Sequence, residues 1–336
     1  MQRLLIPSHL ETLPQELPAG EQFTLSGQTM GTTWTVRYIH VSDHDQDAVR
    51  ALIQDELDLV VRQMSTWQDD SDLSRFNQSA ANTWHRLPGP FFTVMDCALK
   101  IAVQTNGAFD PTIGPLVNLW GFGPHGQRTS PPDAEEIKRL QENCGWQRLQ
   151  LDAQHKQLLQ PGNAYVDFSG IAKGYGVDRV SNALRHAGIA NYLIEVGGEL
   201  YGAGIKPDGQ PWWVALEIPP GIASVATESI AAVCGIAVAT SGDYRRYFDH
   251  ENHHYAHTID PRNGYPINRS INALISVTVL HEECMQADAL ATAFTVMGVQ
   301  ATLDYAQTHQ IATLLIEQTP DGFKEYLSPE LTAMLE

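Results

Sequence analysis

Asp288 and Thr292 stand four residues apart in Ala287-Asp-Ala-Leu-Ala-Thr292, the spacing that stacks two side chains on one helix face, one turn apart. A carboxylate and a hydroxyl so placed suit a hard cation such as Mg²⁺, which keeps much of its octahedral shell for water, backbone carbonyls and phosphate. The same pair also suits a plain helix N-terminus, with Asp288 at the dipole and Thr292 bonded back into the preceding turn. Upstream, Tyr255-Ala-His-Thr-Ile-Asp-Pro-Arg-Asn-Gly-Tyr-Pro266 is a polar turn that offers the imidazole of His257. An imidazole is a group that can accept a proton near neutral pH. Asp260 and Arg262 read as the groups that shape the turn. Nearby His250, His253 and His254 have no carboxylate or cysteine pattern beside them and read as an exposed hairpin tip, not a transition-metal site.

Two further segments place polar groups beside flexible backbone. Gly107-Ala-Phe-Asp-Pro-Thr-Ile-Gly-Pro115 ends a helical pattern in a turn punctuated by Gly and Pro. Tyr165-Val-Asp-Phe-Ser-Gly-Ile-Ala-Lys-Gly-Tyr175 passes from a short strand through Ser and Gly into a helix. Lys173 falls near that helix start, where a cation is mildly unfavourable, so a surface role explains it less well than a functional one. Together with Met30-Gly-Thr, Met64-Ser-Thr-Trp67, Val196-Gly-Gly-Glu199 and Ser241-Gly-Asp-Tyr244, these segments resemble, in order from about residue 25 to residue 300, the ApbE family of Mg²⁺-dependent FAD:protein FMN transferases.

The resemblance implies a division of labour. Met30 and Trp67 match positions that contact flavin or adenine, with Trp67 replacing a frequent tyrosine; Ala108, Phe109 and Asp110 match a nucleotide-binding turn. Asp167, Lys173, Ile259 and Ala291 match further FAD contacts, and Lys173 is suited to the diphosphate. Gly170 matches a backbone metal ligand, which Asp288 and Thr292 would complete, and His257 matches the position nearest the chemistry. The implied activity is Mg²⁺-dependent transfer of the FMN part of FAD to a Ser or Thr hydroxyl, with AMP released. Its acceptors would be flavin-carrying proteins of respiratory or electron-transfer complexes. A hydrolase giving FMN and AMP, or a non-catalytic FAD-binding protein, would share most of these residues. The Gly197-Gly198 segment and the His257 turn are candidate walls of an acceptor groove.

Composition fits a soluble globular protein. The chain has 336 residues, 43% hydrophobic and 18% charged, enough to bury a large core. A formal net charge of -18 from 21 Lys+Arg against 39 Asp+Glu argues against a general nucleic-acid surface. It also means that a bound diphosphate needs local positive charge, from Lys173 and a cation. Cys97, Cys144, Cys234 and Cys284 form no CxxC unit, so neither zinc nor a disulfide scaffold is expected. The apolar run before Pro7 is too short for a signal peptide, and no later stretch approaches a membrane span, so the chain as written is expected to remain cytoplasmic. The resemblance points differently, since family members are often periplasmic lipoproteins of the inner membrane.

The elements that position these groups follow from periodicity. Residues 1–22 are expected to be a loosely packed lead-in, and residues 23–336 one ApbE-like domain. Helices are predicted over 45–64, 91–106, 133–143, 171–186 and 285–297, the last mainly solvent-facing. Strands are predicted near Phe23 and over 192–196, 213–218, 231–239, 273–280 and 311–317. Residues 202–209 lack the spacing of a dinucleotide fingerprint and read as a turn-rich link. Adjacent strands interrupted by helices predict an α+β fold, and the resemblance makes it T-fold-like, with mixed or antiparallel sheets, flanking helices and an FAD cleft.

Overall fold

Asp45 opens the first long helix, its carboxylate accepting from the backbone N–H groups of Asp47 and Ala48, donors that a helix start otherwise leaves orphaned. The structure, a computed structural model, describes residues 2–7, 16–41, 45–222, 227–251, 253–268 and 273–335. In chain order it contains β1 (Gln2–Leu5), β2 (Glu21–Thr29), β3 (Thr32–His40), α1 (Gln46–Met64), α2 (Asp72–Asn77), β4 (Thr83–Arg86), α3 (Gly89–Gln104), α4 (Gly114–Leu119) and α5 (Ala134–Gln141). There follow β5 (Gln150–Asp152), β6 (Gln157–Gln160), α6 (Ala172–His186), β7 (Tyr192–Val196), β8 (Glu199–Ala203), β9 (Trp212–Ala215), β10 (Glu228–Val233), β11 (Ile236–Gly242), β12 (Tyr247–His250), β13 (His253–Asp260) and β14 (Tyr265–Asn268). The chain closes with β15 (Leu274–His281), α7 (Cys284–Met297), α8 (Val299–His309), β16 (Ala312–Thr319), β17 (Gly322–Leu327) and α9 (Pro329–Thr332). The class is α+β.

An eight-stranded sheet of order β17-β16-β15-β11-β8-β7-β3-β2 forms the frame, and its neighbouring strands all pair antiparallel. Alternation divides its side chains between two faces. Trp34, Val36 and Tyr38 of β3 and Tyr192, Ile194 and Val196 of β7 enter one core with Ile53, Leu57, Phe91 and Phe294 of the helices. Ile39 and Leu193 point the other way, into a second core with Leu5, Trp212 and Val233. That second layer contains the sheet β1-β10-β9. A strand covered on both faces has no polar side, which is why β7 reads as a nearly continuous apolar run.

Three expectations are corrected here. Residues 2–5 are not loose: β1 pairs in parallel with β10, Leu5 is fully buried and Arg3 pairs with Glu325. Residues 21 and 22 already belong to β2, and residues 1 and 8–15 of that segment lie outside the described residues. The single strand expected over 231–239 is two strands in different sheets, because the chain turns at Gly235 with φ +72 and the Gly235 N–H donates to Gly202 O at 2.7 Å. The helix carrying Asp288 is not solvent-facing. It buries Cys284, Met285, Ala287, Asp288, Ala289 and Leu290 in its first half alone, as a helix apolar all round does.

Candidate active site at the α6–α7 seam

Helices α6 and α7 meet in antiparallel steps of four residues. At one step, Gly174 and α7 come so close that a Cβ on Gly174 would lie 2.3 Å from Cys284 O. The missing side chain therefore permits the contact. Neither helix has a side-chain cap from its own N-cap residue, Ile171 or Glu283. Each is capped by the other instead. Asp288 Oδ2 accepts from Gly174 N at 3.0 Å, while Asp178 accepts from Cys284 N at 2.9 Å and Met285 N at 2.8 Å. Burial raises the Asp178 carboxyl to about 7 despite these two bonds. Asp178 was not visible as a functional residue in the sequence, since its partner lies more than a hundred positions away.

One step along, a Cβ on Gly170 would lie 3.0 Å from Thr292 Oγ1 and 3.4 Å from Phe109 Cε2. The seam thus gathers Gly170, Asp288, Thr292 and Phe109. Thr295 bonds back to Ala291 O at 2.9 Å, but Thr292 makes no such bond among the described residues, and Asp288 caps α6 instead of its own helix. The plain helix-terminus reading of the pair therefore does not describe them. No group of three or more His, Cys, Asp or Glu side chains is poised for a metal among the described residues. One carboxylate, one hydroxyl and adjacent backbone suit a hard cation that retains water and substrate ligands, and not zinc.

Lys173 lies in the first turn of α6, and its stem passes Gly197, where a Cβ would come within 3.3 Å of Lys173 Cδ. Its ammonium pairs with Glu199 at the start of β8. Burial works against the charge on Lys173, but Glu199 and Asp288 outweigh it and keep the ammonium protonated. Sequence reading placed Glu199 in a motif without giving it a role.

The rim is built by turns. Met30 and Gly31, with φ +48 and +71, close the β2–β3 hairpin in the manner of a type I′ turn, and a Cβ on Gly176 would lie 3.0 Å from Met30 Cε. Trp67 is 61% exposed, an aromatic face available for stacking. Ala108 and Ala291 are buried. Asp110 accepts from Thr112 N at 2.8 Å, Thr112 Oγ1 at 2.7 Å and Trp146 N at 3.0 Å, so its oxygens organise the turn around it. Asp167 accepts from Ser169 N at 2.7 Å, and its N–H donates to Pro111 O at 2.8 Å, joining the two loops. Burial raises both carboxyls above their ordinary range.

His257, on β13, is half-buried. Its backbone N–H and its Nδ1 both face Arg246 O, at 3.0 and 3.2 Å. A carbonyl only accepts, so Nδ1 carries the hydrogen and Nε2 is left with its lone pair. Burial foremost, then the charges of Arg246, Lys173 and Arg245, lower His257 to about 4. It is a neutral imidazole near pH 7. Ile259 packs with Leu116, Trp120 and Phe122. Asp260 accepts from Arg262 N, Nε and Nη2 at 2.9, 2.8 and 2.7 Å, and Arg262 Nη2 also reaches Val296 O at 2.9 Å. The turn is thereby fastened to the end of α7. His250 pairs with His253 at the hairpin end, whereas the half-buried His254 lies between the exposed Asp249, at 2.9 Å, and the buried Asp243, whose backbone O is at 3.3 Å. The Gly197-Gly198 segment is covered: Arg245 Nη1 donates to Gly197 O at 3.1 Å, and a Cβ on Gly198 would lie 2.7 Å from Arg245 Nη2.

Residues 30–315 match the model of the ApbE family. The chain belongs to the ApbE family. It is 42% identical over 321 residues to the FAD:protein FMN transferase of Vibrio cholerae serotype O1, covering 95% of this chain and 94% of that one. The solved flavin transferase ApbE of Vibrio cholerae superimposes with a TM-score of 0.84 at 40% identity, covering 94% and 99% of the two chains. The apo flavinyl transferase ApbE of Pseudomonas stutzeri gives 0.86 at 34%, covering 95% and 98%. The ApbE-type segments singled out in the sequence thus converge from α6, α7, β13 and the loops at 107–115 and 165–171. Asp178, Arg245 and Arg246 join them only in three dimensions.

Proposed function

We propose that the protein transfers the FMN part of FAD to a Ser or Thr hydroxyl of an acceptor protein, with release of AMP. The observation that carries this reading is the α6–α7 seam. It sets a carboxylate, a hydroxyl, a glycine backbone and a charged lysine together in a chain of this family. Asp288, Thr292 and the Gly170 backbone would hold Mg²⁺. When bound, the ion would neutralise diphosphate charge and stabilise the phosphoryl-transfer transition state.

The remaining work falls to the chain's own residues. Lys173 binds the diphosphate, and Trp67 and Met30 bound the flavin or adenine end. The acceptor hydroxyl oxygen forms a bond to the FMN phosphorus as the bond to the bridging oxygen breaks, and that oxygen leaves with AMP. The hydroxyl proton goes to His257 Nε2, the nitrogen that its hydrogen bond leaves unprotonated. An acceptor from the flavin-carrying subunits of respiratory or electron-transfer complexes fits this chemistry. Arg245 bars the Gly197-Gly198 segment from serving as an open groove wall, so the His257 turn is the better candidate for acceptor contact.

The test is incubation with FAD, Mg²⁺ and a candidate acceptor domain, followed by mass spectrometry of the acceptor and assay of AMP. A covalent FMN mass with equimolar AMP is expected. AMP and FMN without modified acceptor would make the protein a hydrolase, and intact FAD would make it a binding protein.

A further inference from the structure

Glu199 is 1% exposed, its Oε1 engaged by Lys173 and its Oε2 without a hydrogen-bond partner among the described residues. A buried carboxylate satisfied on one side only is costly to retain. What it secures is Lys173. The ammonium has three donors, so the pair leaves two for another anion, and the lysine side chain keeps 27% of its surface exposed. Its stem is also fixed, because it runs from the first turn of α6 across Gly197, where φ of +59 and the absent Cβ admit it.

We propose that Glu199 is a positioning residue for the diphosphate of FAD: it holds the Lys173 ammonium charged and aimed, and acts on FAD only through that lysine. The proposal rests on the assignment of Lys173 to the diphosphate. Asp288 also acts on Lys173, but its carboxylate is committed to Gly174 N and to the proposed cation. Among the described residues the Glu199 carboxylate has no hydrogen-bonding partner besides Lys173.

The test measures dissociation constants for FAD and for riboflavin, which lacks phosphate, with Mg²⁺ present, in wild type, Glu199→Gln, Lys173→Met and the double variant. Glu199→Gln should weaken FAD binding roughly tenfold or more, as loss of one partner from a buried charge pair does, with riboflavin affinity near wild type. The double variant should bind FAD no more weakly than Lys173→Met alone. Wild-type FAD affinity in Glu199→Gln, a parallel loss of riboflavin affinity, or a double variant weaker than Lys173→Met would each overturn the proposal. If Glu199→Gln fails to fold, the comparison of the double variant with Lys173→Met still decides, because a residue acting only through Lys173 has no effect in its absence. Unchanged FAD affinity in Lys173→Met would instead locate the fault in the diphosphate assignment.

Discussion

The α6–α7 seam and the rim around Trp67 and His257 handle charge in opposite ways. In the seam, Asp288 and Glu199 are buried and Asp178 is half-buried, and the three are matched to backbone N–H groups or to Lys173. At the rim, Trp67 is largely exposed, and His257 is kept neutral by its surroundings. The contrast separates a prepaid electrostatic wall, fixed before substrate arrives, from a surface whose contacts form only with substrate. Substitutions in the seam should therefore disturb fold and chemistry together, and substitutions at the rim should disturb binding or turnover alone.

The sharpest way to break the contrast is Asp288→Ala. Transfer should fall about 10³-fold or more, the several kcal/mol that charge stabilisation by a metal is worth. Because Asp288 also caps α6, Tm should fall too; a burial of 5% exposure rules out the silent surface change that a solvent-facing helix would allow. Full transfer by this variant in a Mg²⁺ titration would remove the cation assignment. Thr292→Ala deletes one proposed neutral ligand that water can replace and should be milder.

At the rim, His257→Asn should lower turnover about 10²-fold, the low end for general bases, with the FAD dissociation constant nearly unchanged. The pH profile sharpens this. An imidazole held at about 4 is deprotonated across the neutral range, so the wild-type rate should fall on acidification only near pH 4. A limb near 6.5 that vanishes in His257→Asn would show that substrate binding raises the imidazole again.

Asp178→Asn tests the seam without touching a proposed ligand. It leaves one of two buried N–H groups poorly matched and should cost about 1–3 kcal/mol by denaturant titration. The folded carboxyl is raised to about 7, above its unfolded value, so its contribution is full at acid pH and is lost as pH rises through 7. The wild-type advantage over the variant should shrink over that window. The smallest effect is expected from Trp67→Ala: a two- to tenfold weaker FAD affinity, about 0.5–1.5 kcal/mol of aromatic contact, with Tm unchanged.

Local signals made much of this legible. Asp45, the Pro131-Pro132 pair before Asp133 and the Gly107 stop mark helix ends within a residue or two of those observed, and β7 lies where its apolar run predicts. The α+β class followed from such elements. The helix α8 and the hairpin strand β8 were not resolved as separate elements, and β10 and β11 fused, because apolar periodicity continues across a one-glycine turn. At the site, spacing within one segment exposed Asp288 with Thr292, and the ordered motifs exposed the rest of the rim. Asp178, Arg246 and the role of Glu199 were not legible, since each acts on a partner distant in the chain.

The reciprocal caps also bear on how the chain finds its fold. Gly174 N and Asp288 are separated by 114 positions, and Cys284 N and Asp178 by 106, so neither helix can complete its first turn from local sequence. The strands β7, β8, β11 and β15 are threaded between the two partners, and their pairing must bring the helices together first. High sequence separation of this kind slows folding. It also couples three amides, those of Gly174, Cys284 and Met285, into a single opening event. In native-state hydrogen exchange they should lose protection at one common free energy, so the seam would loosen as a unit and carry the proposed cation site with it.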